Sequence, residues 1–345
     1  MCSGAALDVL GHERMPSLRV TPQGKKRLPV VFVVGPTASG KSAVALRLAD
    51  RRTCGLISAD AMQIYKGMDI VTDKPDKVTR RRHPCALIDT VAPRRAHNVA
   101  EFCRAARRAI REALRKGRCP VVVGGTGLYI RALIEGIFKG PSADARVRAR
   151  LERQAREKGK AFLYEHLRRV DHTSADRIGP HNLRRIIRAM EVHRLTGRPL
   201  SEMQKSERGL KDSHDLLIFG LRRSREDLYA RIDRRVDQMM ERGLVGEIKR
   251  LLGEGLGVTA YCCIGIREVE GYLQGRYDLE EAVRLIKRNT RHFAKRQLTW
   301  WRKNKDIAWI DVATEEDLAV AAGQIASEIK GVTARAESRS AGGVR

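Results

Sequence analysis

VVFVVGPTASGKSAVALRLAD, running from Val30 to Asp50, is the stretch from which the rest of the chain can be read. Inside it Gly35 to Ser42 spells GPTASGKS and meets the phosphate-binding pattern G-x-x-x-x-G-K-S/T at every fixed position. Ahead of it, Val30, Val31, Phe32, Val33 and Val34 form the β-branched and aromatic run of a buried parallel strand. Behind it, Val44, Ala45, Leu46, Leu48 and Ala49 supply the apolar side of a helix. Strand, glycine loop and helix in this order aim backbone N–H groups and the positive helix end at an anion. Gly35, Pro36, Thr37, Ala38, Ser39, Gly40, Lys41 and Ser42 are therefore read as a phosphate or diphosphate cradle. Lys41 adds a point charge, and the Ser42 hydroxyl can reach a Mg²⁺ ion.

Outward from this unit, short apolar runs alternate with helical stripes. Gly55 to Ala59 reads as a second strand ending at Asp60, and Cys85 to Asp89 is a third apolar run. Val99, Phe102, Cys103, Ala106, Ile110, Ala113 and Leu114 recur at helical spacing up to Lys116, and Gly117 ends the helix. Pro120 to Val123 then gives another buried strand, which runs into Gly124-Gly125-Thr126-Gly127. Such alternation predicts an α/β fold, a P-loop NTPase-like parallel sheet with helices on both faces. Ligands of these sheets sit beyond the carboxyl ends of the strands. The cradle, Asp60 and the GGTG stretch each follow a strand, so all three should open on one crevice.

From Pro141 to about Arg208 the strand-like runs vanish. Helices are predicted over Ala145 to Lys158, Lys160 to Val170 and Leu183 to Leu195, as an α-helical insertion domain. Leu216 to Leu221 returns as a strand; long helices follow over Ser224 to Gly253 and Leu279 to Lys303, then one over Glu315 to Lys330. The expected organisation is a flexible leader over 1–27, a P-loop core over 28–140 and 209–312, the insertion over 141–208, and a C-terminal helix with a disordered tail over 313–345.

Lys and Arg number 68 against 41 Asp and Glu in 345 residues, a net charge of +27. No stretch approaches the ~20 apolar residues of a spanning helix, so the basic excess points to nucleic acid rather than to a membrane. The seven cysteines form no C-x-x-C pair and the nine histidines no H-E-x-x-H, which suits reduced thiols in a cytoplasmic protein without a structural metal. The longest basic run, Lys287 to Lys303, carries Lys287, Arg288, Arg291, Lys295, Arg296, Arg302 and Lys303 with no acid among them. A solvated helix face normally pairs its charges at i,i+4; here that pairing is missing, and a phosphate-contacting face is expected, with Phe293, Leu298 and Trp301 left for packing.

On the residues alone, the reaction stays open. A small-molecule or nucleotide kinase would use the loop for ATP, as would a nucleic-acid-stimulated ATPase, and Leu87-Ile88-Asp89 offers a metal-binding carboxylate for either. The wider pattern points elsewhere. GPTASGKS, ISADAMQIYKGMDIVTDKP (Ile57 to Pro75), VVVGGTGLYIRALIEG (Val121 to Gly136), RIIRAMEVHRLTGRPLS (Arg185 to Ser201), RIDRRVDQMMERGLVGEI (Arg231 to Ile248) and TRHFAKRQLTWWR (Thr290 to Arg302) together resemble bacterial tRNA dimethylallyltransferases. The resemblance runs from about Leu28 to Asp311, and its GGTGLY and AKRQLTW blocks are specific.

The resemblance implies transfer of a dimethylallyl group from dimethylallyl diphosphate to N6 of the adenosine beside the anticodon (position 37), in tRNAs reading codons that begin with U. It implies that the cradle and Arg225 bind the diphosphate with Mg²⁺, that Asp60 is the general base, and that Thr126 lines the channel between the substrates. It assigns tRNA contacts to Asp60, Ala61, Met62, Gln63, Thr126 and Arg148, to Arg184, Arg185, Ile186, Ile187 and Arg188, and to Cys262, Cys263, Ile264, Gly265, Ile266 and Arg267. The anticodon stem-loop is the expected partner, and a monomer the expected state. The chain departs from the family pattern at Cys85-Ala86 (a histidine pair), at Ile266 (an aromatic), at His292-Phe293 and at His181 to Arg185; none touches the cradle, Asp60 or Thr126.

Overall fold

The computed structural model of the chain describes residues 28–341 apart from 52, 139, 142 and 205–207. The expected leader, and the last residues of the expected tail, lie outside the described residues. From the amino end the elements are β1 (Val30–Val34), α1 (Lys41–Asp50), β2 (Cys54–Ser58), α2 (Lys77–Arg82), β3 (Cys85–Ala86), α3 (Val99–Arg115), β4 (Cys119–Gly124) and α4 (Gly127–Glu135). Helices α5 (Ala145–Glu157), α6 (Lys160–Val170), α7 (His172–Ile178), α8 (Leu183–Thr196) and α9 (Leu200–Met203) follow. The chain then gives β5 (Leu216–Arg222), α10 (Arg225–Glu241), α11 (Leu244–Glu254), α12 (Ile266–Leu273), α13 (Leu279–Trp301), β6 (Ala308–Asp311) and α14 (Glu315–Ala341).

The strands form one six-stranded sheet in the order β3-β2-β4-β1-β5-β6, and every pairing in it is parallel. The all-apolar β1 lies inside the sheet with every residue buried, because only helix-covered sheets bury both faces of a strand. Val31, Val33, Val121 and Phe219 pack with Val44 and Leu48 of α1 and with Leu318 and Ile325 of α14. The crossovers β1-α1-β2 and β3-α3-β4 run in opposite directions along the sheet. Right-handed connections therefore place α1 and α3 on opposite faces.

By compactness the described residues form two units: those up to Ile130 together with those from Ser213 onward, and Arg131–Asp212. The second unit is all helical. Its core joins Leu151 of α5, Leu163 and Leu167 of α6, Ile186 and Met190 of α8, and Leu200 of α9. Asp144 and Asn182 cap α5 and α8 by accepting backbone N–H bonds from their first turns.

Several elements differ from the sequence expectation. The helix expected over Ser224 to Gly253 breaks into α10 and α11 at Gly243, whose φ of 90° is a left-handed turn that glycine adopts freely. The third apolar run pairs only through Cys85–Ala86, since Leu87 and Asp89 have φ of 69° and 54° and turn the chain out of the sheet. The edge strand β6 and helices α7, α9 and α12 were not anticipated, and each is short enough to lack a clear period. The last helix continues past Lys330 to Ala341, so the expected disorder is corrected over that span. Its Ala, Arg and Glu residues are strong helix formers, and no proline interrupts them.

Candidate functional site

Strands β2, β4 and β1 are neighbours, so the loops at their carboxyl ends lie side by side. These are the loops of Asp60, of Gly124 to Gly127 and of Gly35 to Ser42. The cradle takes its shape from left-handed backbone at Ala38 (φ 63°) and Gly40 (φ 99°). At Gly40 a Cβ would also meet Leu318 at 2.6 Å, so α14 closes the loop from behind. The Lys41 ammonium donates to Pro36 O and to Ser39 Oγ (3.5 Å). Enclosure pushes its pKa down to about 7, against the opposing pull of Asp60 and with a smaller contribution from Arg235. An enclosed amine beside a nest of N–H groups is built to receive an anion that restores its charge.

Further arginines hold the cradle from the α10 side. Buried Arg223 donates to Ser39 O (3.3 Å), Arg231 to Ala38 O (3.2 Å), and Arg235 to Thr37 Oγ1 (2.9 Å). With Asp227, these residues recur at steps of four, a single stripe of α10 and its approach. That four-residue spacing was the signal the sequence carried for them. Arg225 is exposed, with its guanidinium over the Tyr229 ring at 5.2 Å.

Asp60 is half-buried, and its Oδ1 accepts from Met62 N (2.8 Å) and Gln63 N (3.3 Å). Both bonds fall on one oxygen. Thr126 Oγ1 accepts from Ala61 N at 3.1 Å, tying the β4 loop to the Asp60 turn. Gly124 is needed for closeness: a Cβ there would run into the Ala59 carbonyl. At Gly125 and Gly127 it would strike Gln297 and Trp300, so the space these glycines leave is taken by α13 side chains. Gln63 is held in turn, accepting from Ser58 Oγ (3.3 Å) and donating to Thr72 O (3.3 Å).

Gln297 was not singled out from the sequence. Its buried amide accepts from Thr37 N at 2.8 Å and donates to Gly125 O at 3.0 Å. Its period on α13, with Ala282, Ile286, Ala294 and Trp301 on the buried face, was the available signal. Phe293, expected to pack, is exposed. The basic run is also less free than its lack of acids implied: Lys287 pairs with Asp237 (2.6 Å) and Arg291 with Asp233 (2.6 Å), both from α10. Arg288, Lys295, Arg296, Arg302 and Lys303 remain exposed.

Among the remaining residues tied to tRNA by resemblance, Arg184 and Arg185 are exposed. Arg148 and Arg188 converge on the fully buried Glu191, at 2.8 Å and 2.7 Å. These guanidiniums, with the Asp144 N–H, hold the Glu191 carboxyl below its ordinary range despite burial. Ile186, Ile187, Cys263 and Ile266 are buried side chains, and of these Cys263 also lines the cavity beside Cys262. Cys262 and Arg267 border a cavity of about 240 Å³, together with Ile264, Asn289, His292 and Arg296. Gly265, with φ of 107°, turns the chain into α12 below it. Asp89, the carboxylate that a kinase or ATPase would have used for metal, pairs with buried Lys74 and with Arg80. Ser42 is exposed in the first turn of α1. No group of three or more His, Cys, Asp and Glu residues placed to hold a metal occurs among the described residues. No helix among them is long and apolar enough to cross a membrane.

Fold and loop together define an α/β protein of the P-loop type whose anion cradle adjoins a carboxylate on the next loop but one. A family model described as IPP transferase matches residues 63–304, and one described as isopentenyl transferase matches 28–80. The chain belongs to the IPP transferase family, and curated relatives similar to it are tRNA dimethylallyltransferases. It is 45% identical over 289 residues to the tRNA dimethylallyltransferase of Geobacter metallireducens, covering 83% of this chain and 94% of that one. With the enzyme of Pelotomaculum thermopropionicum it shares 42% over 310 residues, 89% and 98% of the two chains. The solved full-length tRNA isopentenylpyrophosphate transferase of Bacillus halodurans superposes with a TM-score of 0.65 at 37% identity, over 90% of this chain and 99% of that one. A eukaryotic dimethylallyltransferase solved acting on tRNA gives 0.73 at 28% identity, over 86% and 77%. The kinase and ATPase readings find no support among these relatives.

Proposed function

We propose that this protein transfers the dimethylallyl group of dimethylallyl diphosphate to the exocyclic N6 of the adenosine 3′-adjacent to the anticodon of tRNA. The observation that carries the reading is the adjacency of the cradle, with its enclosed Lys41, to the Asp60 turn: they follow the two strands flanking β4, whose loop is tied to the turn by Thr126. The diphosphate lies in the cradle, and the adenine enters beside Asp60. As the allylic C–O bond breaks, its electron pair leaves on the diphosphate, where loop N–H groups and the recharged Lys41 stabilise the growing charge. The N6–C bond forms, and the surplus N6 proton passes to Asp60 through Oδ2, the oxygen not committed to the turn. Ser42 would hold a Mg²⁺ ion, which would supply charge stabilisation for the departing diphosphate. The donor set fits it: one hydroxyl with no carboxylate cage suits an ion that takes phosphate oxygens and keeps waters.

The base must leave its stack at a cost of ~1–3 kcal/mol, which stacking and arginine contacts offset. The cavity at Cys262 and Arg267 has room for one nucleobase and presents both donors and acceptors, so it suits a base flanking the target. The test is one incubation of the enzyme with dimethylallyl diphosphate, Mg²⁺ and unmodified tRNA, followed by nucleoside analysis. N6-dimethylallyladenosine with diphosphate release supports the proposal. Unprenylated tRNA with consumption of added ATP would overturn it.

A further inference from the structure

We propose that Gln297 mechanically couples the two substrate loops, so that diphosphate and tRNA each strengthen the binding of the other. The inference rests on the reading above. Gln297 reaches the loops from α13, more than two hundred residues away in sequence from Thr37. Its orientation is unambiguous: Thr37 N can only donate and Gly125 O can only accept, so Oε1 must face the first and Nε2 the second. A primary amide offers both roles in one rigid plane.

Hydrogen bonds continue the link on both sides. Gly125 adjoins Thr126, whose hydroxyl receives Ala61 N–H (3.1 Å) at the turn that aims Asp60. Thr37 is also held by Arg235, which pairs with Asp73 at 3.0 Å. The Asp73 carbonyl receives the Gln63 amide at 3.5 Å, which returns to the Asp60 turn. The circuit closes. Seating a diphosphate in the cradle fixes Thr37, and through Gln297 and Arg235 it fixes the loop that receives the base. The second ligand then meets a loop already ordered, which is coupling without a large movement. The Thr37 N–H is committed to Gln297, so the phosphate contacts fall to the remaining amides of the cradle.

The experiment uses inorganic diphosphate with Mg²⁺ as probe, which avoids turnover, and measures its Kd with and without saturating unmodified tRNA. In the wild type each ligand should tighten the other by about tenfold, equally in both directions. Gln297→Glu keeps the acceptor but turns an anion on the Gly125 carbonyl; Gln297→Met keeps the bulk and removes both bonds. Either should bring the coupling factor close to one; the factor is the ratio of the diphosphate Kd without tRNA to that with it, so any change in a ligand's own affinity, such as the repulsion expected from Gln297→Glu, cancels from it. Coupling that persists in both variants, or is missing in the wild type, overturns the inference. Failure of the P-loop reading looks different: diphosphate would not bind the wild type, or Lys41→Ala would leave its binding intact.

Discussion

Asp60 spends Oδ1 on the N–H groups of Met62 and Gln63, so in the proposed reaction one carboxylate holds the turn through Oδ1 and takes the N6 proton on Oδ2. Asp60→Asn preserves an acceptor for the turn and removes the base. It should lower kcat by about 10²–10⁴-fold with tRNA affinity unchanged in a filter-binding assay. An equal loss of binding would make Asp60 a recognition residue. Lys41 carries a pH signature. Free enzyme holds it near 7, and a bound anion raises it, so diphosphate binding takes up a proton between about pH 7 and the ordinary lysine range. Calorimetry at pH 8 in buffers of different ionisation enthalpy should show that uptake, and Lys41→Arg should abolish it. The same depression means the unfolded chain binds more protons over that window, so this group makes stability rise with pH there.

Elements hold these residues through contacts that cross the sequence. Helix α10 is both a wall of the cradle and the counter-charge of α13: one face, continuing from Arg223 just ahead of it, offers Arg231 and Arg235, another Asp233 and Asp237. In the helical unit Glu191 gathers Arg148, Arg188 and the Asp144 N–H. Glu191→Ala strands two half-exposed guanidiniums and an N–H; urea unfolding should show a loss of about 1–3 kcal/mol. At the β2–β4 junction, Gly124→Ala forces a methyl into the Ala59 carbonyl. It should cost about 1–3 kcal/mol and reduce kcat more than diphosphate affinity, because the Asp60 turn moves and the cradle does not.

Across the whole molecule the charge of +27 makes tRNA binding strongly salt-dependent. The structure divides that charge unevenly. Lys295→Gln removes an exposed cation and should flatten the log–log salt slope by about 0.7–0.9. Arg291→Gln, already neutralised by Asp233, should leave the slope nearly unchanged. A reversed result would place the α10–α13 pairs in the RNA interface. Much was legible without coordinates: GPTASGKS with its flanks, the apolar strands, the Asp60 and GGTG loops at strand ends, and the insertion with its Arg-rich helices. The reading failed where periodicity was too short, as at β6 and α12, or where composition misled, as at the tail. The sequence by itself determined the sheet, the cradle and the family, because period, glycine conformational freedom and motif spacing are carried by neighbouring residues. Only the tertiary structure decided that Gln297 bridges two loops, that Arg223, Arg231 and Arg235 grip the cradle, and that Asp233 and Asp237 quench part of the basic run. Those pairings join residues remote along the chain, and packing alone brings them within hydrogen-bond reach.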